Sequence, residues 1–221
     1  ELSEKNILRS IKFTKSSKGR ASLGEALPVA EEIVLNLKNQ KFVLSVDVCG
    51  SLRRGKETIG DVDILVASQD SKKVIEFFST LDNVKQVLSK GSTKSSVRIT
   101  EGLQVDLRVV EKNIYGAALN YFTGNKEHNI VLRKIAIQKG FKLSEYGLFD
   151  KKNNRLVGGK TEKDIYKKLG MKFIPPELRE NEGEFEAAKK GNLPRLINQK
   201  DLRGDLQMHS TWSDGNGSVE E

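Results

Sequence analysis

Gly50-Ser51-Leu52-Arg53-Arg54-Gly55-Lys56-Glu57-Thr58-Ile59-Gly60-Asp61-Val62-Asp63-Ile64-Leu65-Val66 is the stretch whose reading decides the fold. An apolar run ends at Cys49, a Gly-Ser pair opens a short basic segment, and Gly60 leads into two aspartates one residue apart. In a strand successive side chains point to opposite faces. Asp61 and Asp63 are therefore expected on one face, with Val62, Ile64 and Val66 turned to a core on the other. Two carboxylates on one face repel each other unless a cation lies between them, and a divalent ion such as magnesium takes oxygen ligands of this kind. An isolated Asp-x-Asp is more often a solvated acidic face. The Gly-Ser and Arg-Arg-Gly directly before it favour a site that handles phosphate beside a metal.

On either side of this stretch, residues 42–48 read as a β run feeding a Gly-Ser turn, and residues 60–67 as its partner strand. Upstream, Ser22 followed by Glu25 is a capping box, and Ala26, Leu27, Ala30, Ile33, Val34 and Leu37 carry an apolar helical face to about Asn39. Pro28 is expected in the first turn or so, where it is tolerated. Earlier still, Ile7, Leu8 and Ile11 show helical spacing over residues 3–13. Downstream, Asp70-Ser71 caps a helix through Phe78 whose Val74, Ile75, Phe77 and Phe78 pack on a sheet, and residues 84–88 and 95–100 read as strands. Over residues 103–110, Val105, Leu107 and Val109 alternate with Gln104, Asp106 and Arg108. If this strand lies beside the one with Asp61 and Asp63, three carboxylates converge, enough for a two-metal phosphoryl-transfer site.

After Asn113 the pattern becomes helical, over residues 114–122 and 126–139, with Thr123-Gly124-Asn125 between. Asn129 and Arg133 stand four apart and share a face of the second helix, and His128 beside Asn129 reads as a surface side chain. Asn153-Asn154 reads as a hairpin turn between Leu148-Phe149 and Leu156-Val157, and Thr161 starts a helix to Leu169. Beyond Pro175-Pro176 the composition is polar with little periodicity through Lys190, which reads as a linker or strap.

With 221 residues the chain can build one or two domains, and its net charge of +8 and pI near 9.4 suit an acidic partner, nucleic acid above all. Cys49, the single cysteine, cannot form an intrachain disulfide and reads as a small core residue. No apolar run reaches membrane-span length and no signal-peptide pattern opens the chain, so a cytoplasmic location without membrane contact is expected.

The run from Gly50 to Asp63, then Asp106-Leu107-Arg108, the Tyr121-Phe122-Thr123-Gly124 turn, and Asn129 with Arg133 together resemble the family X DNA polymerases, in order and spacing. The Gly-Ser and aspartate motifs alone would indicate only the wider nucleotidyltransferase superfamily. The resemblance implies an α+β fold, with a polymerase beta-like nucleotidyltransferase palm of mixed sheet and flanking helices over residues 20–112 and a small α+β nucleotide-selection subdomain over 113–180. It further implies the end of a helix-hairpin-helix DNA-binding segment over 1–19, a linker over 181–204, and the start of a polymerase and histidinol phosphatase domain over 205–221. In that last piece Gln207 stands where the motif has the first of two histidines, ahead of His209 and Asp214. Glutamine is a poor transition-metal ligand, so no metal-dependent exonuclease chemistry is expected there. The chain is thus expected to be a piece of a longer polymerase.

Carried over residue by residue, Asp61 and Asp63 would hold two magnesium ions, with manganese as substitute, and Asp106 would hold the one at the primer end. Ser51, Arg54, the Gly60 backbone and Arg20 would bind the triphosphate. Tyr121, Phe122 and Gly124 would pack beneath the sugar, Asn129 would reach the incoming base and Arg133 the template. Lys126 stands where the family can have an acidic residue. The resemblance implies a monomeric, DNA-directed DNA polymerase adding deoxynucleotides to a primer end, in gap filling during base excision repair, with primer-template or gapped duplex and a deoxynucleoside triphosphate as partners. A non-templated nucleotidyltransferase and a catalytically silent DNA-binding scaffold are the alternatives.

Overall fold

The structure is a computed structural model that describes residues 19–204 and 209–218. The helix expected over residues 3–13, the helix-hairpin-helix end, and Gln207 lie outside the described residues.

A two-residue strand, β1 (Ala21–Ser22), leads into helix α1 (Leu23–Lys38). The capping box closes as expected: the Glu25 amide donates to the Ser22 hydroxyl, and the Glu25 carboxylate accepts from the Ser22 amide at 2.9 Å. Ala26, Ala30, Ile33 and Leu37 fall on one helical face and are all buried. Pro28 lies deeper in α1 than expected; the helix absorbs one missing amide donor because this face is packed along its length.

The larger sheet has five strands in the order β2 (Ser45–Val48), β4 (Val62–Ala67), β7 (Gln104–Val110), β6 (Lys94–Ile99) and β5 (Val84–Lys90). Between them lie helix α2 (Gly50–Arg53), strand β3 (Thr58–Ile59) and helix α3 (Ser71–Ser79), capped by Asp70. β4 and β7 run parallel and the other pairs antiparallel, which makes the sheet mixed. Val62, Ile64 and Val66 join Val105, Leu107 and Val109 in one core with the apolar faces of α1 and α3. The opposite face of β4 contributes Leu65 and Ala67 to a smaller cluster with Tyr115, Ala118 and Leu119, so it is covered at one end by the next helix.

That helix, α4 (Tyr115–Thr123), opens the second subdomain, followed by α5 (Lys126–Gln138), the strands β8 (Phe141–Ser144), β9 (Gly147–Asp150) and β10 (Leu156–Gly158), helix α6 (Glu162–Lys168) and helix α7 (Glu184–Lys190). Leu132, Leu148, Ile165, Tyr166, Ile174 and Phe185 sit in its own core. No helix among the described residues is long and apolar enough to cross a membrane.

Several expectations are corrected. The β run over 42–48 shortens to β2, because the Val43 amide turns back to the Gln40 carbonyl. The Gly-Ser turn is the short helix α2, its amides of Arg53 and Arg54 bonding back to Cys49 and Gly50. Gly60 and Asp61 form a bend ahead of β4 and are not part of the strand. The hairpin is the outer part of a three-stranded sheet, because β8 pairs with β9. Part of the expected linker over 181–204 is folded: α7 buries Phe185 and Ala188 in the second core, and Glu184 is buried beside them. Periodicity missed it because a seven-residue helix shows too few turns. His128, expected on the surface, is fully buried, its Nδ1 at 2.7 Å from Glu184 and its Nε2 at 2.9 Å from the Tyr166 hydroxyl.

Candidate active site

The site forms where β4 and β7 run side by side. Their register sets Asp63 directly against Asp106, while Asp61 stands in the bend just before. Gly50 makes room for this: its φ is +58°, and a Cβ there would lie 2.3 Å from Asp63 Oδ2. Glycine is therefore required at position 50, for backbone and for space.

Burial, then the charges of Asp61 and Asp106, push the Asp63 carboxyl up to about 7, and Lys94 and Arg54 offset this only in part. Asp106 accepts from the Ser96 hydroxyl on Oδ1 and from Gln104 Nε2 at 3.0 Å on Oδ2. A carboxylate has about four lone-pair positions, so both oxygens retain capacity for a cation. As they stand, no three His, Cys, Asp or Glu among the described residues are gathered into a ready metal cluster. The donor set nevertheless fits a hard divalent ion: oxygen ligands only, mutually repelling, with no ion pair to Lys or Arg among the described residues.

Beside the two aspartates lies a pocket of about 70 Å³ lined by Cys49, Asp63, Lys94, Asp106, Arg108 and Phe122, among others. Burial pushes the Cys49 thiol up, which leaves it an inert wall residue. Lys94 was not singled out from the sequence, and Arg108 entered only within the Asp106-Leu107-Arg108 motif, without a role of its own. The signal for Arg108 was the strand alternation that puts it on the Asp106 face; Lys94 depends on strand pairing, which sets it against Arg108. A larger concavity of about 890 Å³ also has Arg108 in its wall, with Ser68, Lys112 and Tyr146, but it holds none of the three aspartates. Only the smaller of the two is lined by Asp63 and Asp106.

The end of α4 joins the two subdomains. Phe122 walls the aspartate pocket, with the Arg108 guanidinium 4.9 Å from its ring centre, and Tyr121 meets it edge-on at 5.1 Å. Asn129 Nδ2 donates to the Tyr121 carbonyl at 2.8 Å, and Arg133 Nε to the Asn129 carbonyl at 3.3 Å. Tyr121, Asn129 and Arg133 line one small depression. Gly124 has φ +71°, and a Cβ there would lie 3.2 Å from Arg54 Nη1, so this position too requires glycine. On the palm side, the β1–β3 pairing carries Arg20 to Thr58, whose hydroxyl accepts from Nε at 2.8 Å, and brings Nη1 close to Gly60. Ser51 lies on α2, half-buried.

Arg53 and Arg54 turn to the second subdomain. Arg53 forks onto Glu162 at 3.0 and 2.6 Å and donates to the Thr123 hydroxyl at 2.6 Å; Arg179, fully buried, reaches the same carboxylate at 2.6 Å. Arg54 donates to the Thr123 carbonyl and pairs with Glu180 at 2.8 Å. Far along the chain, His209 and Asp214 are exposed and bonded to each other.

A mixed sheet with adjacent-strand aspartates behind a Gly-Ser helix, and a second subdomain packed on its open face, defines a nucleotidyltransferase-type palm with a thumb. Residues 118–180 match the family described as DNA polymerase beta thumb. The chain is 36% identical, over 99% of its length, to 38% of the DNA polymerase/3'-5' exonuclease PolX of Bacillus subtilis. It is 31% identical to DNA polymerase lambda of Rattus norvegicus over 60% of this chain and 28% of that protein. A third relative, DNA polymerase IV of Saccharomyces cerevisiae, is 42% identical over 33% of this chain and 12% of its own. Along these stretches the chain is similar to family X DNA polymerases, and it has the polymerase beta-like α+β fold. It spans less than two fifths of the length of the relatives it matches, 38% in the case of the Bacillus protein.

Proposed function

We propose that this chain carries the nucleotidyl-transfer core of a DNA-directed DNA polymerase, which adds a deoxynucleotide to a primer 3′-hydroxyl during gap filling in DNA repair. The observation that carries the reading is the pairing of Asp63 with Asp106 across parallel strands, beside a pocket walled by Phe122 from the thumb.

Asp61, Asp63 and Asp106 would hold divalent ions, magnesium or manganese, which when bound supply Lewis-acid stabilisation of the phosphoryl oxygens. A hydroxyl is a weak nucleophile at neutral pH, and Asp106, the carboxylate on the primer side, would take its proton. Ser51, Arg54, Arg20 and the Gly60 amide would hold the β- and γ-phosphates with donors that need little reorganisation. Tyr121, Phe122 and Gly124 would form the floor under the sugar. Asn129 would contact the incoming base and Arg133 the template; the Asn129 amide is held by the Tyr121 carbonyl, and the Arg133 guanidinium by the backbone carbonyl of Asn129. The excess of basic residues would neutralise DNA phosphates, with an affinity that falls steeply as salt rises.

Primer extension on gapped, plain primer-template and blunt DNA, with magnesium or manganese, tests this. Template-directed addition that Asp106→Ala abolishes, with triphosphate binding kept within a few fold, is the expected result. Addition that ignores the template would mark a non-templated nucleotidyltransferase, and no addition at all a silent scaffold.

A further inference from the structure

Two neighbouring arginines of α2 and its cap meet carboxylates of very different standing. Glu162 is nearly buried and held by both Arg53 and Arg179. Glu180 lies at the rim, with its side chain 20% exposed against 7% for Glu162. It takes Arg54 at 2.8 Å and Lys56 at 3.4 Å from the palm, and Asn125 Nδ2 at 2.9 Å from the thumb. Burial opposes its charge, but Arg54, then Asn125 and Lys56, hold the carboxyl below its usual range, so it meets Arg54 as an anion.

Resting on the reading of Arg54 as a triphosphate ligand, we infer that Glu180 is a resident counter-anion, a latch that the incoming triphosphate displaces from Arg54. Arg54 spends Nε on Glu180 and Nη1 on the Thr123 carbonyl, so a polyanion that takes the guanidinium through its Nε edge must displace the Glu180 carboxylate. A single carboxylate at the rim yields to a polyanion, whereas the Arg53 network does not, because exchanging Glu162 would strand two buried guanidiniums. Since Glu180 holds palm and thumb donors together, its release also frees the Arg54–Glu180–Asn125 link between the subdomains. Glu180 is thus a positioning residue that sets how much free Arg54 the nucleotide meets, and apparent affinity falls by the fraction latched.

Titration calorimetry with magnesium tripolyphosphate on the whole chain tests the latch. Glu180→Gln keeps the size and one acceptor oxygen but removes the charge and the second acceptor, and should bind the probe on the order of tenfold tighter. In extension assays it should lower KM for the deoxynucleotide with kcat unchanged. In an Arg54→Ala background the same substitution should do nothing, an outcome that a general loosening of the fold would not give. In the wild-type chain the Glu180 carboxyl carbon resonance should move as the probe binds, which tests the latch without any variant. Equal or weaker binding by folded Glu180→Gln, or a carboxyl signal that stays still while the probe binds, overturns the latch and leaves the nucleotide-site reading intact. No probe binding by any variant overturns that reading, and the latch with it.

Discussion

The palm and the thumb treat a buried carboxylate in opposite ways. Asp63 sits among Asp61 and Asp106, and its carboxyl is pushed up to about 7 by burial and by these like charges. In the thumb, burial works against Glu162 too, yet Arg53 and Arg179 hold its carboxyl below the usual range. The thumb network pairs its charges within the chain, although Arg179 Nη2 is left without a hydrogen-bond partner. On the proposed function, the palm cluster would take up a cation from outside to meet its charge. Stability and activity would then be carried by different acids, and substitutions should separate them.

The largest effect falls on chemistry. Asp63→Ala or Asp106→Ala should reduce primer extension by at least about a thousandfold, the scale of removing a principal charge-stabilising group. Glu162→Ala should act instead on folding, by about 3–5 kcal/mol, because it leaves two guanidiniums buried without their anion. Denaturant unfolding monitored in the absence of metal would read this loss, and an unchanged midpoint would break the contrast.

Asp63→Asn should move stability the other way. Removing one of the repelling charges at pH 8 without metal should add on the order of 1 kcal/mol, or about 2–4 °C in Tm for a chain of this size. Added magnesium should raise Tm of the wild type more than that of the variant, because only binding to the folded state stabilises.

A smaller effect lies in the pH profile, where the two regions have opposite signs. Asp63, raised from 3.8 to about 7, contributes stability that is present below about pH 4 and is lost as pH rises through 7. His128, lowered by burial to about 4 although Glu184 favours its charged form, contributes stability present above about pH 6.5 and lost as pH falls through 4. Chemical unfolding between pH 4 and 7 should show a steeper rise of stability with pH in Asp63→Asn and a shallower one in His128→Asn. Parallel profiles for both variants would break the comparison.

Much of the palm was legible because its signals are local. A capping box, a period-two strand and a Gly-Ser pair each act over a few residues, and the structure keeps α1, β4 and β7 close to where they were expected. The candidate catalytic aspartates were readable for the same reason. Lys94, Ser96 and Gln104 were not singled out, since their part depends on which strands become neighbours and on the side-chain contacts within the assembled sheet. His128 and α7 misled for a related reason: a polar residue reads as exposed until the partners that satisfy it, here Glu184 and Tyr166, arrive from distant positions.

By itself, then, the sequence determined the local order of elements, the family motifs and the acidic and basic residue types that phosphoryl transfer requires. Only the tertiary structure decided that β4 and β7 are parallel neighbours, which brings Asp63 to Asp106 from more than forty positions away in the chain. It alone decided that Arg53 is locked to Glu162 while its neighbour Arg54 meets Glu180 at the rim. The physical reason is that hydrogen-bond capping and periodicity are short-range, whereas burial, charge pairing and repulsion depend on which distant groups share a low-dielectric space.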